Sequence, residues 1–142
     1  MERERDYMMG VIYDYISKMH FQKTDDPDIF VKVKPSINQN DKESQKAEDV
    51  IFFDRKGIMI GSASVSGIDT QSAFLYNLEV LPKYRGMGYG TKIMHYMMMH
   101  YSITILSVEP SNKIAINLYK KFGFVEGHTY YENGRKLIAM TK

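Results

Sequence analysis

A run of closely spaced glycines between a predicted strand and a predicted helix constrains this chain more than any other feature. Gly86, Gly88 and Gly90 stand at every second position, shortly after the apolar stretch 78–81. Glycines lack a Cβ atom and tolerate positive φ, so a ligand can approach the backbone and several amides can converge on one anion. The helix that begins near Gly88 adds unpaired N–H groups and the positive end of its dipole. The sequence therefore predicts a phosphate-binding turn.

The spacing of these glycines excludes the two commonest phosphate loops. A Walker loop has four residues between its first glycine and a Gly-Lys-Ser/Thr triplet, whereas this chain has Gly90 followed by Thr91 and then Lys92. A dinucleotide fingerprint has two residues after its second glycine, and here only Tyr89 follows Gly88. A phosphate turn of another kind and a flexible loop with incidental glycines both stay open at this point.

Length and charge indicate one domain without the electrostatic signature of a nucleic-acid binder. The 142 residues are 44% apolar and 25% charged, which is typical of a single globular domain, residues 1–142, with a hydrophobic core. The 19 basic and 17 acidic side chains nearly cancel. We therefore do not expect nucleic acid as a partner.

Cysteine, histidine and hydropathy patterns narrow the chemistry and the compartment. There is no cysteine, which excludes a disulfide, a thiolate nucleophile and a cysteine metal site. The four histidines show no ligand spacing, so we expect no metal. The N-terminus mixes both signs of charge, and no stretch approaches the ~18 apolar residues of a membrane span. We expect a cytoplasmic protein with no membrane partner.

Hydrophobic periodicity predicts an opening helix followed by a polar interruption. Apolar residues recur along 4–20 on one stripe, which indicates an amphipathic helix packed against the core. Ile29, Val31 and Val33 then alternate with other side chains as a possible edge strand. Residues 35–48 contain one large apolar residue, so we expect a mobile loop or a short surface helix there.

The rest of the chain has the pattern of strands alternating with two helices. Apolar and β-branched runs predict strands at 50–53, 58–65, 73–80 and 103–108, the last covered on both faces. Helical spacing predicts helices at 88–101 and 113–121, the second capped by Asn112. The Asn133-Gly134 turn predicts a final hairpin of strands 125–131 and 136–140.

Two motifs resemble those of the GNAT N-acetyltransferase superfamily. Arg85, Gly88 and Gly90 fit its motif A, Arg/Gln-x-x-Gly-x-Gly/Ala. Residues 112–124 fit its motif B, Asn-x-x-Ala-x-x-Leu-Tyr-x-x-x-Gly-Phe, at every position. The motifs stand in the family's order, separated by one helix and one strand, and the resemblance covers about residues 58–124. It implies an α/β fold with a mixed, mostly antiparallel sheet splayed at its centre and flanked by helices.

The resemblance also implies acetyl-CoA as co-substrate and an amine acceptor, either a protein or a small molecule. The family usually opens with a strand followed by two helices, whereas this chain opens with a helix. Its first strand is therefore expected to be displaced or lost. In the family those elements help form the wall of the amine site, so this sequence does not identify the acceptor. It also carries no sign of an oligomer.

By resemblance, the glycine turn holds the diphosphate, and backbone amides of strand 78–80 meet both pantetheine and the developing oxyanion. The positions thereby assigned to the cofactor are Leu78, Val80, Arg85, Gly86, Met87, Gly88, Tyr89, Gly90, Thr91, Asn112 and Tyr119. Tyr119 matches the tyrosine that protonates the CoA sulfur in many members, and a phenol of pKa about 10 still holds its proton at neutral pH. A tyrosine that only packs beside Leu118 and Phe122 is the alternative.

The general base is not defined by the motifs. Some relatives place a glutamate five residues before the motif-B asparagine, where this chain has Ser107. Glu79, on the central strand, is a catalytic candidate that could act through water. Further candidates are Tyr76, His128 and Tyr130, and an amine with a lowered pKa would need only a water chain.

Three classes of function are consistent with these features. The first is an enzyme that moves acetyl from acetyl-CoA to a primary amine. The second is a CoA-binding sensor or regulatory module with weak or no turnover, which the serine at position 107 supports. The third is a partner-binding protein that uses the predicted first helix and the polar segment.

Overall fold

One eight-stranded sheet with two α-helices makes up residues 21–36 and 46–142, the part of the chain that the computed structural model describes. The strands are β1 (Gln22–Lys23), β2 (Phe30–Pro35), β3 (Ala47–Phe53), β4 (Met59–Ser66), β5 (Ala73–Val80), β6 (Ile103–Val108), β7 (Val125–Glu132) and β8 (Arg135–Thr141). The helices are α1 (Tyr89–His100) and α2 (Lys113–Lys121), and a 3₁₀ turn spans Pro82–Tyr84. The strand order is β1-β2-β3-β4-β5-β6-β8-β7. All neighbouring strands are antiparallel except β5 and β6, which confirms the predicted mixed, mostly antiparallel sheet.

The parallel strands β5 and β6 pair only at their beginnings. Their last paired residues are Leu75 and Leu106. Beyond this point β5 continues to pair with β4 as far as Val80, and β6 continues to pair with β8 as far as Val108. The sheet is therefore splayed, as predicted, by a gap between the carboxyl ends of β5 and β6, which we call the β5–β6 gap.

Cross-strand register assigns each side chain to one of two faces of the sheet, and α1 covers the first. Phe52 on β3 meets Tyr96 of α1 edge to face, with ring centroids 5.4 Å apart. A Cβ atom at Gly61, which pairs with Phe52, would come within 3.1 Å of Ile93. Residues on this face and on the buried side of α1 form the core, including Val50, Phe52, Ala63, Val65, Leu75, Leu106, Ile93, Met94 and Met97. The spacing of the last three is the helical period that predicted α1.

The second face carries mainly polar side chains near the β5–β6 gap. Asp49, Ser64 and Asn77 are successive cross-strand partners, and Ser62 pairs with Glu79 in the next row. On the other side of the gap this face contains Ser107, Ala139, Leu137 and Tyr130, which follow from the pairs Phe74–Ile105, Ser107–Ala139 and Leu137–Tyr130. Near the β5–β6 gap the second face is thus more polar than the first face, which α1 covers.

The described elements correct three details of the prediction. The predicted edge strand at 29–33 is β2, which pairs with β3 on one side and with the two-residue β1 on the other. A strand as short as β1 has too few residues for an alternation signal. Pro35 pairs with Glu48, so both ends of the predicted polar loop belong to strands. Its residues 37–45, like the helix predicted at 4–20, lie outside the described residues.

The third correction concerns β6, which was predicted to be covered on both faces. Leu106 and Val108 are buried, but Ile105 and Ser107, on the second face, are partly exposed. Neither described helix is long and apolar enough to cross a membrane. Residues 21–36 and 46–142 also contain no group of three histidine, aspartate or glutamate side chains that could hold a metal ion.

Candidate active site

The glycine turn leaves its backbone open to solvent at two positions. Gly86 and Gly88 have φ of 76° and 85°, a left-handed conformation that costs other residues roughly 1–2 kcal/mol. A Cβ atom built on either glycine would meet no atom within 4 Å. The neighbouring Met87 is 65% exposed. Both glycines therefore expose the backbone on the side where a Cβ atom would otherwise stand, and an anion can approach the backbone there.

Several amides of the glycine turn and of the first turn of α1 have no hydrogen-bond acceptor among the described residues. Within the described part of the chain, no backbone N–H group from 86 to 91 donates a hydrogen bond. The first helical bond of α1 is donated by Lys92 N to Gly88 O, at 3.3 Å. Free donors at a helix N-terminus, together with the helix dipole, bind phosphate groups. The turn thus fits a diphosphate such as that of CoA.

Gly90 has different surroundings from those of Gly86 and Gly88. It lies inside the first turn of α1. A Cβ atom there would be 3.4 Å from Leu118 of α2 and 3.9 Å from the side chain of Val80. These are ordinary van der Waals distances, so a Cβ atom at Gly90 would pack between α2 and β5, whereas at Gly86 and Gly88 it would meet no atom.

The start of the turn is anchored to the β3–β4 hairpin by a residue pair that the sequence did not reveal. The Tyr84 hydroxyl donates to Asp54 Oδ2 at 2.9 Å, and Asp54 Oδ1 accepts from the amides of Lys56 and Ile58, each at 2.9 Å. Burial, and then the hydrogen bond to Asp54, raise the pKa of Tyr84. The Tyr84 ring also meets Tyr89 edge to face, with centroids 5.4 Å apart. Tyr84 thereby contacts both the β3–β4 hairpin and Tyr89, the first residue of α1.

Arg85 ties the turn back to the strand that precedes it. Its Nε donates to the carbonyl oxygen of Val80 at 2.9 Å. The motif-A arginine therefore satisfies the last carbonyl of β5 in addition to any contact with a ligand.

Leu78 and Val80 lie on the part of β5 that borders the β5–β6 gap. They pair with Ala63 and Gly61 of β4 but have no partner in β6. Backbone groups on the β6 side of this segment are consequently available to a ligand in the gap. This is the position predicted for the strand amides.

Asn112 and Tyr119 occupy the beginning and end of α2. Asn112 Oδ1 accepts from Ala115 N at 3.2 Å, which is the predicted cap. Tyr119 is 4% exposed, and burial raises its pKa to about 12. Within the described residues its hydroxyl has no hydrogen-bond partner, yet no fully buried polar side-chain atom among them lacks one, so the hydroxyl oxygen is at least partly accessible. Because its pKa is raised, Tyr119 keeps its proton at neutral pH.

The candidate bases are distributed over the second face. Glu79 is exposed and forms no ion pair within the described part of the chain. Ser107 and Tyr130 share a hydrogen bond between their hydroxyl groups. Tyr76 instead bonds to the Ser36 hydroxyl at 3.1 Å, and the exposed His128 lies beside the Tyr130 ring. The structure thus joins Ser107 with Tyr130 and places Glu79 on the same face across the β5–β6 gap.

Similarity to known proteins agrees with this geometry. Residues 12–124 match the acetyltransferase (GNAT) family. No curated protein matches the sequence. Among solved structures, an F149A mutant of spermidine N-acetyltransferase SpeG from Vibrio cholerae aligns with a TM-score of 0.55 and 22% identity over 66% of this chain and 63% of that chain. Ard1 from Thermoplasma volcanium aligns with a TM-score of 0.55 and 23% identity over 66% of this chain and 68% of that one.

A third solved structure is that of a nourseothricin acetyltransferase, with a TM-score of 0.54 and 20% identity over 66% of this chain and 63% of that chain. At such identities these likenesses establish the fold alone. The family match is broader, because it spans most of the 142 residues and contains both motifs. The chain therefore belongs to the GNAT acetyltransferase family.

Proposed function

We propose that this protein transfers the acetyl group of acetyl-CoA to a primary amine of a protein or a small molecule. The observation that carries the proposal is the open glycine turn at the N-terminus of α1, next to the β5–β6 gap. The helix α2 lies against the first turn of α1, because a Cβ atom at Gly90 would touch Leu118, the residue before Tyr119. This contact sets α2, which carries Tyr119, beside the helix that begins at the glycine turn, and it supports a shared site for the anion and the phenol.

Each part of the proposed site has a role in holding acetyl-CoA, which supplies the activated acetyl thioester. The amides from 86 to 91 would bind the diphosphate, with Arg85 at the rim. The free edge of β5 at Leu78 and Val80 would pair with the pantetheine arm, and Asn112 would contact the same arm. The residues present fit this ligand, since the turn is bare and its donors are unpaired.

The chemistry follows from two groups of this chain. A backbone amide of the β5 edge would stabilise the negative charge that develops on the thioester oxygen, an effect of about 2.7–4 kcal/mol for one such donor. Tyr119 would donate its proton to the departing sulfur, and general acid catalysis of this kind contributes roughly 10²–10⁴ in rate. The buried, protonated phenol suits this role at neutral pH.

The acceptor would approach from the second face, where Glu79 and Ser107 border the gap on opposite sides. Two structural neighbours carry spermidine and nourseothricin in their names, and both are amine compounds. These names suggest the classes to be tested first.

The test is a mass-resolved acetylation screen with acetyl-CoA. The panel contains spermidine, nourseothricin, a peptide with a free α-amino group and a peptide whose only amine is a lysine. We expect CoA release with at least one amine and an increase of about 42 Da in the mass of that amine, which corresponds to one acetyl group. We also expect Tyr119→Phe to lose turnover. Tight binding of CoA without turnover over the whole panel would instead favour the sensor. No binding of CoA at all would refute both.

A further inference from the structure

The side chain of Tyr130 reaches across one strand to meet Ser107. Ser107 pairs with Ala139 of β8, and Tyr130 pairs with Leu137 of the same strand, so all four side chains lie on the second face. The small side chain of Ala139, 3% exposed, leaves room for the phenol above it. The two hydroxyl groups share a hydrogen bond in which either oxygen can be the donor.

This pair leads from the β5–β6 gap to the outer edge of the sheet. Ser107 lies beyond Leu106, the last residue of β6 that pairs with β5, and therefore borders the gap. Tyr130 belongs to β7, the edge strand of the sheet, nearly all of which is exposed. A second contact, from Arg135 Nε to Glu109 Oε1 at 2.9 Å, holds the β7–β8 turn against the end of β6. The hairpin is thus also tied to β6 on the turn side of the hydroxyl pair.

An amine acceptor must be deprotonated before it reacts, and the two hydroxyl groups can carry its proton away. An alkyl amine with a pKa near that of lysine, about 10.4, is an ammonium ion at neutral pH and must lose a proton before it attacks. Ser107 stands where a carboxylate would accept that proton directly, but a serine hydroxyl keeps no charge at neutral pH. A hydroxyl can, however, accept one proton while it donates another.

We propose that Ser107 and Tyr130 form a two-hydroxyl relay that carries protons from the acceptor amine in the gap to solvent at the sheet edge. This inference rests on the proposed function. As the amine proton passes to Ser107 Oγ, the proton of Ser107 passes to Tyr130 Oη and that of Tyr130 passes to water, so both hydroxyls end neutral. Ser107 contacts the amine, and Tyr130 acts through Ser107.

The reaction balances with this relay. The nitrogen–carbon bond forms, the carbon–sulfur bond breaks, and two protons leave the ammonium nitrogen through Ser107. Tyr119 gives one proton to the sulfur and regains one from water. The net result is an amide, a thiol and one proton released to solvent.

The experiment compares variants that differ only in a hydroxyl group. Spermidine, or the panel amine turned over fastest, serves as acceptor, and kcat and the affinity for CoA are measured for each protein. Ser107→Thr keeps a hydroxyl, and its kcat is expected to stay within about threefold of the wild-type value. Ser107→Val has the shape of the threonine variant without the hydroxyl, and its kcat is expected to fall by about tenfold or more, an effect of the size that general acid–base groups provide. Tyr130→Phe is expected to lose a similar factor, and the control Tyr131→Phe, whose side chain is 72% exposed, none.

Two combinations separate a relay from a structural role. Because the hydroxyls act in series, the Ser107→Val/Tyr130→Phe double variant should be no slower than the slower single variant. In a Ser107→Glu background the carboxylate takes the proton directly, so adding Tyr130→Phe should no longer lower kcat. CoA affinity and thermal unfolding of each variant report whether it is folded.

Several results would overturn the relay. They are equal kcat for Ser107→Val and Ser107→Thr, losses that multiply in the double variant, or a loss confined to Glu79→Gln. These outcomes require a wild type that acetylates an amine. If the wild type transfers acetyl to none of the panel amines, the proposed function itself fails and the relay fails with it.

Discussion

Replacing Gly88 with alanine tests the cofactor turn most directly, because the structure predicts different costs for folding and for binding. The residue has φ of 85°, and a Cβ atom there would meet no atom within 4 Å. The folding cost is therefore backbone strain alone, about 1–2 kcal/mol, partly offset by roughly 0.4–1 kcal/mol from the stiffer unfolded chain. A net loss near 1 kcal/mol lowers Tm by about 2–8 °C.

The binding cost should be larger than the folding cost. The new methyl group would project into the mouth of the turn and hold a diphosphate away from the amides. Loss of a single hydrogen bond to a charged group costs about 1.5–3 kcal/mol, which corresponds to roughly 10–100-fold in Kd. Isothermal titration calorimetry with CoA measures this ratio, and thermal unfolding measures the stability.

Gly134→Ala is a matched control. Gly134 has φ of 78°, a Cβ atom there would also meet nothing within 4 Å, and it lies in the β7–β8 turn. Both variants should lose similar stability, and only Gly88→Ala should lose CoA affinity. If Gly88→Ala binds CoA as tightly as Gly134→Ala, the glycine turn is not the diphosphate site.

Three further predictions concern the phenols and the ion pair around the site. Tyr119→Phe should lower kcat by about 10²–10⁴ without weakening CoA binding; because burial raises the pKa of Tyr119 to about 12, a pH–rate profile should show no alkaline loss from this group below about pH 11. Tyr84→Phe should destabilise the fold by about 1.5 kcal/mol; since the folded pKa of Tyr84 is raised, the contribution is present below the unfolded pKa of about 10 and is lost as pH rises through the folded value, which unfolding measured from pH 8 to 11 would show. Asp26 bonds to Lys92 at 2.8 Å, which lowers the pKa of Asp26, so its contribution is present at neutral pH and is lost as pH falls through the lowered value. Asp26→Asn should abolish that acid dependence, and the loss in unfolding free energy at pH 7 should stay below about 1 kcal/mol because the pair is partly exposed.

Features that depend on neighbours in sequence were predicted well. The strand 73–80 and the helix 113–121 have the same bounds in the structure, and the helix predicted at 88–101 is α1. Each of these elements follows from the periodicity of apolar residues over a short stretch and from residues that begin or end an element, such as the Asn112 cap. Motif B in particular is a continuous stretch, so its geometry is almost entirely local.

Features that depend on register across the sheet could not be predicted. Tyr84 and Asp54 are 30 residues apart, and Ser107 and Tyr130 are 23 apart. These contacts depend on which strands pair and in which register, and a local sequence pattern does not predict the pairing of distant strands. The surroundings of Gly90 likewise include Leu118, a residue of another helix.

The early end of β5–β6 pairing has a mechanical consequence. The sheet consists of two antiparallel blocks, β1 to β5 and β6 to β8, and the parallel β5–β6 ladder that joins them has three residue pairs. The segments of β5 and β6 beyond this ladder belong to different blocks. A molecule bound in the β5–β6 gap would contact both blocks, so its binding should raise the free energy of unfolding of the whole sheet.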